Sequence, residues 1–137
     1  MMHGGPVDWT CTKFSNTALS STEAEWYAAC ESAKPALWLS NMLSEIGHYM
    51  PSPPVILENN QGCIIYGKRS LNASAMKHLD LKYNMLRQNI KRNRIKLERI
   101  PTAINIADIL TKPLTRNKFE ELRSLLGVAS LPRNVPL

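Results

Sequence analysis

Apolar residues at Trp26, Ala29, Cys30, Ala33 and Leu37 recur at three- and four-residue intervals, the spacing that lines one face of an α-helix. The helix start is marked by Ser20-Ser21-Thr22-Glu23-Ala24-Glu25, in which Thr22 and Glu25 have the T-x-x-E spacing of a capping box. Pro35 removes an amide donor and crowds the preceding turn. The pattern therefore predicts a kink there or two helices in sequence, the second from Ala36 to Ile46 with Leu39, Leu43 and Ile46 on one face. Gly47 follows where a helix-ending residue turns left-handed. Val55-Ile56-Leu57 is a short unbroken apolar run, which predicts a strand covered on both faces, and Asn60 to Tyr66 reads as a short helix after it. Met76 to Lys91 carries Leu79, Tyr83, Leu86 and Ile90 on one helical stripe, and Ile95 to Ile100 alternates apolar and charged residues as a half-buried or edge strand does. Asn105 to Leu110 predicts a short helix stopped by Pro113, and Arg116 to Leu126 a closing helix stopped by Gly127. Val7 to Thr12 and Thr17 to Leu19 are short enough to be two strands of a hairpin around Lys13 to Asn16. Residues 1–6 form a loose N-terminus and residues 128–137 a disordered tail, which leaves 7–127 as one domain.

Strand followed by helix is the working unit of an α/β domain. Composition agrees with one folded core: 137 residues are too few for two well-buried domains, and 44% hydrophobic residues with three Trp exclude a disordered chain. A net charge of +6 favours an anionic partner, nucleic acid ahead of a membrane surface. No apolar run approaches the roughly 18 residues of a spanning helix and the first residues lack a signal-peptide pattern, so an intracellular protein with no membrane partner is expected. Cys11, Cys30 and Cys63 form no CxxC pair and read as isolated, buried thiols. The charge is local. Between Lys68 and Arg99 there are ten Lys or Arg against two acids, and Lys91, Arg92, Arg94 and Lys96 cluster at a helix-to-strand connection where they could reach successive phosphates.

Three strings carry a family resemblance: LSSTEAEW at Leu19 to Trp26, ENNQG at Glu58 to Gly62 and ADILTKPL at Ala107 to Leu114. They resemble, in order and spacing, the LSSTEAEY, EDNQ and ADILTKPL motifs of copia-type retrotransposon ribonuclease H domains, which lie C-terminal to reverse transcriptase in the Pol polyprotein. KHLDLKYNMLR at Lys77 to Arg87 is similar to the family's KHIDIRYHFIR segment, and FEELRSLLG at Phe119 to Gly127 to its closing helix. The resemblance spans Val7 to Gly127. It implies an α/β ribonuclease H-like fold, a mixed sheet flanked by helices. It also implies hydrolysis of the RNA strand of RNA–DNA hybrids during reverse transcription, with a pair of magnesium ions held by three Asp and one Glu. The implied partners are an RNA–DNA hybrid or other nucleic acid and the reverse transcriptase domain. The implied location is the cytoplasm or a virus-like particle, with the nucleus as a further compartment.

Carried over residue by residue, the resemblance assigns Glu25 as the catalytic Glu and Asp108 as the last metal-binding Asp, both metal ligands. The competing readings are a helix cap for Glu25 and a favourable helix-dipole position for Asp108. Asn59 stands where the family has the Asp of EDNQ. An amide offers one neutral oxygen where a carboxylate offers two oxygens and a charge, so this replacement is expected to weaken the metal site. Glu58 is adjacent but on the opposite side of the strand. The family's first catalytic Asp lies on a first, central strand upstream of the segment matching Val7 to Phe14; Asp8 does not match it, and the domain is expected to lack that strand. Lys77, Lys91, Arg92, Arg94 and Lys96 are the candidate nucleic-acid contacts. His78 has no Ser or Cys partner at a useful spacing, and Asp80 lies on another helical face. The expectation is an inactive copy of the domain. A non-catalytic nucleic-acid-binding remnant, or a nuclease completed by a strand from another chain, are the alternatives.

Overall fold

The structure is a computed structural model that describes residues 5–12, 18, 20–68 and 81–129. Most of the expected second hairpin strand, the start of the helix from Met76, His78, Asp80, Lys77 and most of the expected tail lie outside the described residues. The elements in chain order are α1 (Ser21–Glu45), β1 (Val55–Glu58), α2 (Gln61–Lys68), α3 (Leu81–Lys91), β2 (Lys96–Arg99), a 3-10 turn (Thr102–Ile104), α4 (Asp108–Thr111) and α5 (Arg116–Leu125). They fall into two compact units, residues 16–100 and residues 1–15 with 101–137. The chain is therefore mixed α/β. Among the described residues the sheet is a two-stranded parallel pair with Val55 opposite Lys96 and Glu58 opposite Arg99, smaller than the mixed sheet expected from the resemblance.

In the 16–100 unit, α1 is one continuous helix of 25 residues, not a kinked or divided one. Pro35 is exposed, and so is Glu31, whose carbonyl loses the proline's missing amide as a partner; on that side water can satisfy it. The cap also differs from the expected one. Ser20 is the N-cap and its hydroxyl accepts from the Glu23 amide at 3.1 Å, so Ser20 rather than Thr22 caps the helix. Gly47 ends α1 with φ 82, donating to Ser44 O while His48 donates to Leu43 O, the two bonds of a Schellman cap.

The core consists of Trp26, Ala29, Cys30 and Ala33 of α1, Cys63 and Ile64 of α2, Leu86 of α3, and Ile95 and Leu97 of the second strand region. Trp26 meets Tyr66 edge-on with centroids 5.1 Å apart. Arg87, which sequence counts with the basic segment, is buried: its guanidinium carbon sits 4.0 Å from the Tyr66 ring centroid and Nη2 donates to the Tyr66 carbonyl at 2.9 Å. Gly67 is small for a packing reason, since a Cβ there would stand 2.9 Å from the Trp26 ring and 3.2 Å from Leu97. The apolar run in β1 is covered on one face, not two. Ile56 packs against the core and Glu58 is buried, whereas Val55 and Leu57 on the alternate side are 42% and 53% exposed.

In the other unit, α4 and α5 pack together and Leu122 is buried. Residues 7–12 form no strand, and Val7 and Trp9 are exposed; Cys11 donates to the Leu110 carbonyl at 3.3 Å and so ties this segment to the end of α4. Gly127 closes α5 with φ 74, as the sequence pattern anticipates.

Candidate functional site

The first turn of α1, the end of β1 and the start of α2 meet in one polar corner. Asn60 caps α2, its Oδ1 accepting from the Cys63 amide at 3.2 Å. The Asn60 amide donates in turn to Glu58 Oε1 at 2.8 Å. Glu58, only 5% exposed, also accepts from the Cys63 thiol. Burial pushes the Cys63 thiol well above its ordinary range, and the negative charges of Glu58 and, to a lesser extent, Glu25 push it the same way. Glu25 thus lies within electrostatic range of Cys63 at this corner. Thr22 belongs to the corner as well: a Cβ on Gly62 would lie 2.9 Å from its hydroxyl oxygen, so α1 and α2 approach closely because residue 62 has no side chain. Asn59 is half-buried directly after β1.

Asp108 lies in the other unit, at the first position of α4, and is 9% exposed. Both carboxylate oxygens have partners. Oδ2 accepts from Lys112 Nζ at 2.9 Å, and Oδ1 is 3.5 Å from Asn105 Nδ2. Asn105 also accepts from the Ala107 amide at 3.3 Å, a local turn that fixes the entry into α4. Among the described residues no group of three or more His, Cys, Asp or Glu side chains stands together in a way that could hold a metal ion.

The basic candidates lie at the end of α3. Asn93 turns left-handed with φ 52, the Asn93 amide donates to Ile90 O and the Arg94 amide to Asn89 O, so a Schellman cap built on asparagine sets the shape of the turn. Lys91, Arg92 and Arg94 are exposed on it, and Lys96 begins β2 half-buried. Arg94 Nη2 reaches back to Asn41 Oδ1 of α1 at 3.4 Å, which joins the turn to the long helix.

Over 93% of its length the chain is 36% identical to the Retrovirus-related Pol polyprotein from transposon TNT 1-94 of Nicotiana tabacum and 31% identical to that from transposon RE1 of Arabidopsis thaliana. It is 31% identical over 89% of its length to the transposon Ty1-NL2 Gag-Pol polyprotein of Saccharomyces cerevisiae. The chain is similar to a segment of copia-type retrotransposon Pol polyproteins. That segment is short, 10%, 9% and 7% of the three relatives respectively. No family model matches the chain, and no solved structure matches it.

Within this Pol-like segment, the strings LSSTEAEW and ENNQG supply the two sides of the acidic corner, through Glu25 and Glu58 to Cys63. ADILTKPL supplies the Asp108–Lys112 pair of the other unit. Sequence reasoning sets Glu58 apart from Asn59 and reads Cys63 as a buried thiol, but misses that the two meet. The signal for Glu58 is the alternation along β1, which turns it to the same side as Ile56, and the signal for Cys63 is its place one turn into α2 behind the Asn60 cap. No helix among the described residues is long and apolar enough to cross a membrane.

Proposed function

We propose that this Pol-like segment is a ribonuclease H-type domain that binds nucleic acid through the Lys91–Lys96 turn and does not cut it. The observation that carries this reading is the pair of side chains at the end of β1. The position at which the resemblance calls for an Asp is the amide Asn59, and the neighbouring carboxylate, Glu58, faces inward and is occupied by the Asn60 amide and the Cys63 thiol. A pair of magnesium ions takes several outward-facing carboxylates around a shared space. The residues of the corner do not fit that group: a protonated thiol and an amide donate or offer neutral atoms where the metal needs charge. Asp108 is balanced by Lys112, so its carboxylate carries its own cation.

The basic turn supports the binding half of the reading. Three exposed cations on a capped turn, with Lys96 following, present positive charge from a fixed backbone. Phosphate contacts of this kind release counterions, so affinity falls with salt by a slope of about 0.9 in log–log terms per phosphate neutralised. The test is an RNA–DNA hybrid titrated with the full chain at several salt concentrations, followed by magnesium. Salt-sensitive binding with an intact RNA strand is expected. Magnesium-dependent cleavage that Glu25→Gln abolishes would overturn the reading in favour of an active nuclease.

A further inference from the structure

Trp38 lies outside the motif strings and outside the core, and it is 65% exposed. The core-facing residues of α1 on either side of it are Ala33 and Leu43, so the helix has a buried stripe that Trp38 does not join. Its helical neighbours are Lys34 one turn before and Asn41 one turn after, at the separations that place side chains side by side, about 5–6 Å between Cβ atoms. Asn41 is the residue that accepts from Arg94. The indole therefore stands next to the point where the basic turn meets α1, with Lys34 on its other side.

We infer that Trp38 and the Lys91–Arg94 turn form one binding surface for an unpaired nucleic-acid strand, the indole stacking on a base while the cations hold the adjoining phosphates. An exposed tryptophan has a large flat apolar face that every base can cover, and such stacking needs bases that are not already stacked within a duplex. A basic turn alone attracts any polyanion; the aromatic beside it selects single strands. Lys34 is ion-paired with Glu31 and Glu45 lies one turn beyond Asn41, so the cations open to the strand are those of the turn. This inference rests on the nucleic-acid reading above and adds the form of the strand.

The experiment is fluorescence anisotropy of the full chain with a labelled oligothymidylate and with a duplex of the same length, at one low salt concentration. Trp38→Ala is expected to weaken the single strand about 10- to 100-fold and to leave the duplex unchanged, with Trp38→Phe retaining most of the affinity. Arg92→Ala should weaken both ligands. In a Trp9→Phe background, oligothymidylate should quench tryptophan emission, and the quenching should vanish in Trp38→Phe; this readout does not depend on the alanine variant folding. Equal single-strand affinity in wild type and Trp38→Ala, with Arg92→Ala weakened, overturns the stacking surface and leaves the binding function intact. Failure of the wild-type chain to bind either ligand overturns both.

Discussion

The acidic corner and the basic turn belong to the same compact unit and spend their charge in opposite ways. Glu58 is turned inward and accepts from an amide and a thiol, whereas Lys91, Arg92 and Arg94 lie exposed on a capped turn. Charges consumed by the fold hold elements together. Charges left in water are available to a partner. Two of the three motif strings, LSSTEAEW and ENNQG, meet in the first region, ADILTKPL lies in the other unit, and the exposed charge suited to a polyanion lies in the second region. The contrast teaches that neighbouring charges in one unit can serve opposite ends, Glu58 tying β1 to α2 while the turn keeps its cations in water.

Removing what the corner is built on should have the largest effect. Trp26→Ala deletes the central core side chain together with its contact to Tyr66, and a loss of about 3–5 kcal/mol of stability is expected; chemical denaturation measures it, and a loss under 1 kcal/mol would show that the corner does not depend on this core. Glu58→Ala acts on the corner alone. It strands the Asn60 amide and the Cys63 thiol, and should cost about 1–3 kcal/mol while leaving hybrid affinity within twofold of wild type. A matching loss of affinity would mean that the two regions are not separate.

The pH dependence of the corner has a definite sign. The Cys63 thiol is held above its ordinary range in the folded chain, so the folded state keeps a proton that the unfolded chain gives up from about pH 8.5 upward. Stability from this group is complete below that pH and declines above it, by about 1.4 kcal/mol per pH unit. Thermal melts between pH 8 and 10 should show the decline, and Cys63→Ala should be flatter over the same window. The smallest effect on stability is expected at the turn. Arg92→Ala should change it by less than about 0.5 kcal/mol and yet reduce the salt slope of hybrid binding by about one.

Much of this architecture is legible in the sequence, and the misses have physical causes. The start of α1 is readable to within a turn, but Ser20-Ser21-Thr22-Glu23-Ala24-Glu25 contains two overlapping boxes, and propensity cannot choose between them. Packing does, because Thr22 lies against Gly62 and leaves Ser20 to cap. Pro35 signals a break that does not occur, since it falls on the exposed side, where water can reach the carbonyl that loses its helical amide. Val55-Ile56-Leu57 reads as fully covered because three apolar residues in a row conceal the alternation that sends Glu58 inward. The basic segment reads as one patch, but Arg87 is drawn into the core by Tyr66. At the candidate site, sequence supplies the identities of Glu25, Asn59 and Asp108. It does not supply the contact between Glu58 and the Cys63 thiol, which tertiary packing sets, while the lysine on Asp108 sits one helical turn further on.

The most direct measurement is strand integrity at saturation. A hybrid with its RNA strand labelled is held fully bound by the chain and magnesium is added. Closed carboxylates and an open basic turn require the hybrid to stay bound with its RNA strand whole, and to be released by salt. An RNA strand cut in proportion to magnesium, and spared when Glu25 is changed to Gln, would contradict the account, because it would mean that the corner still assembles a working metal site.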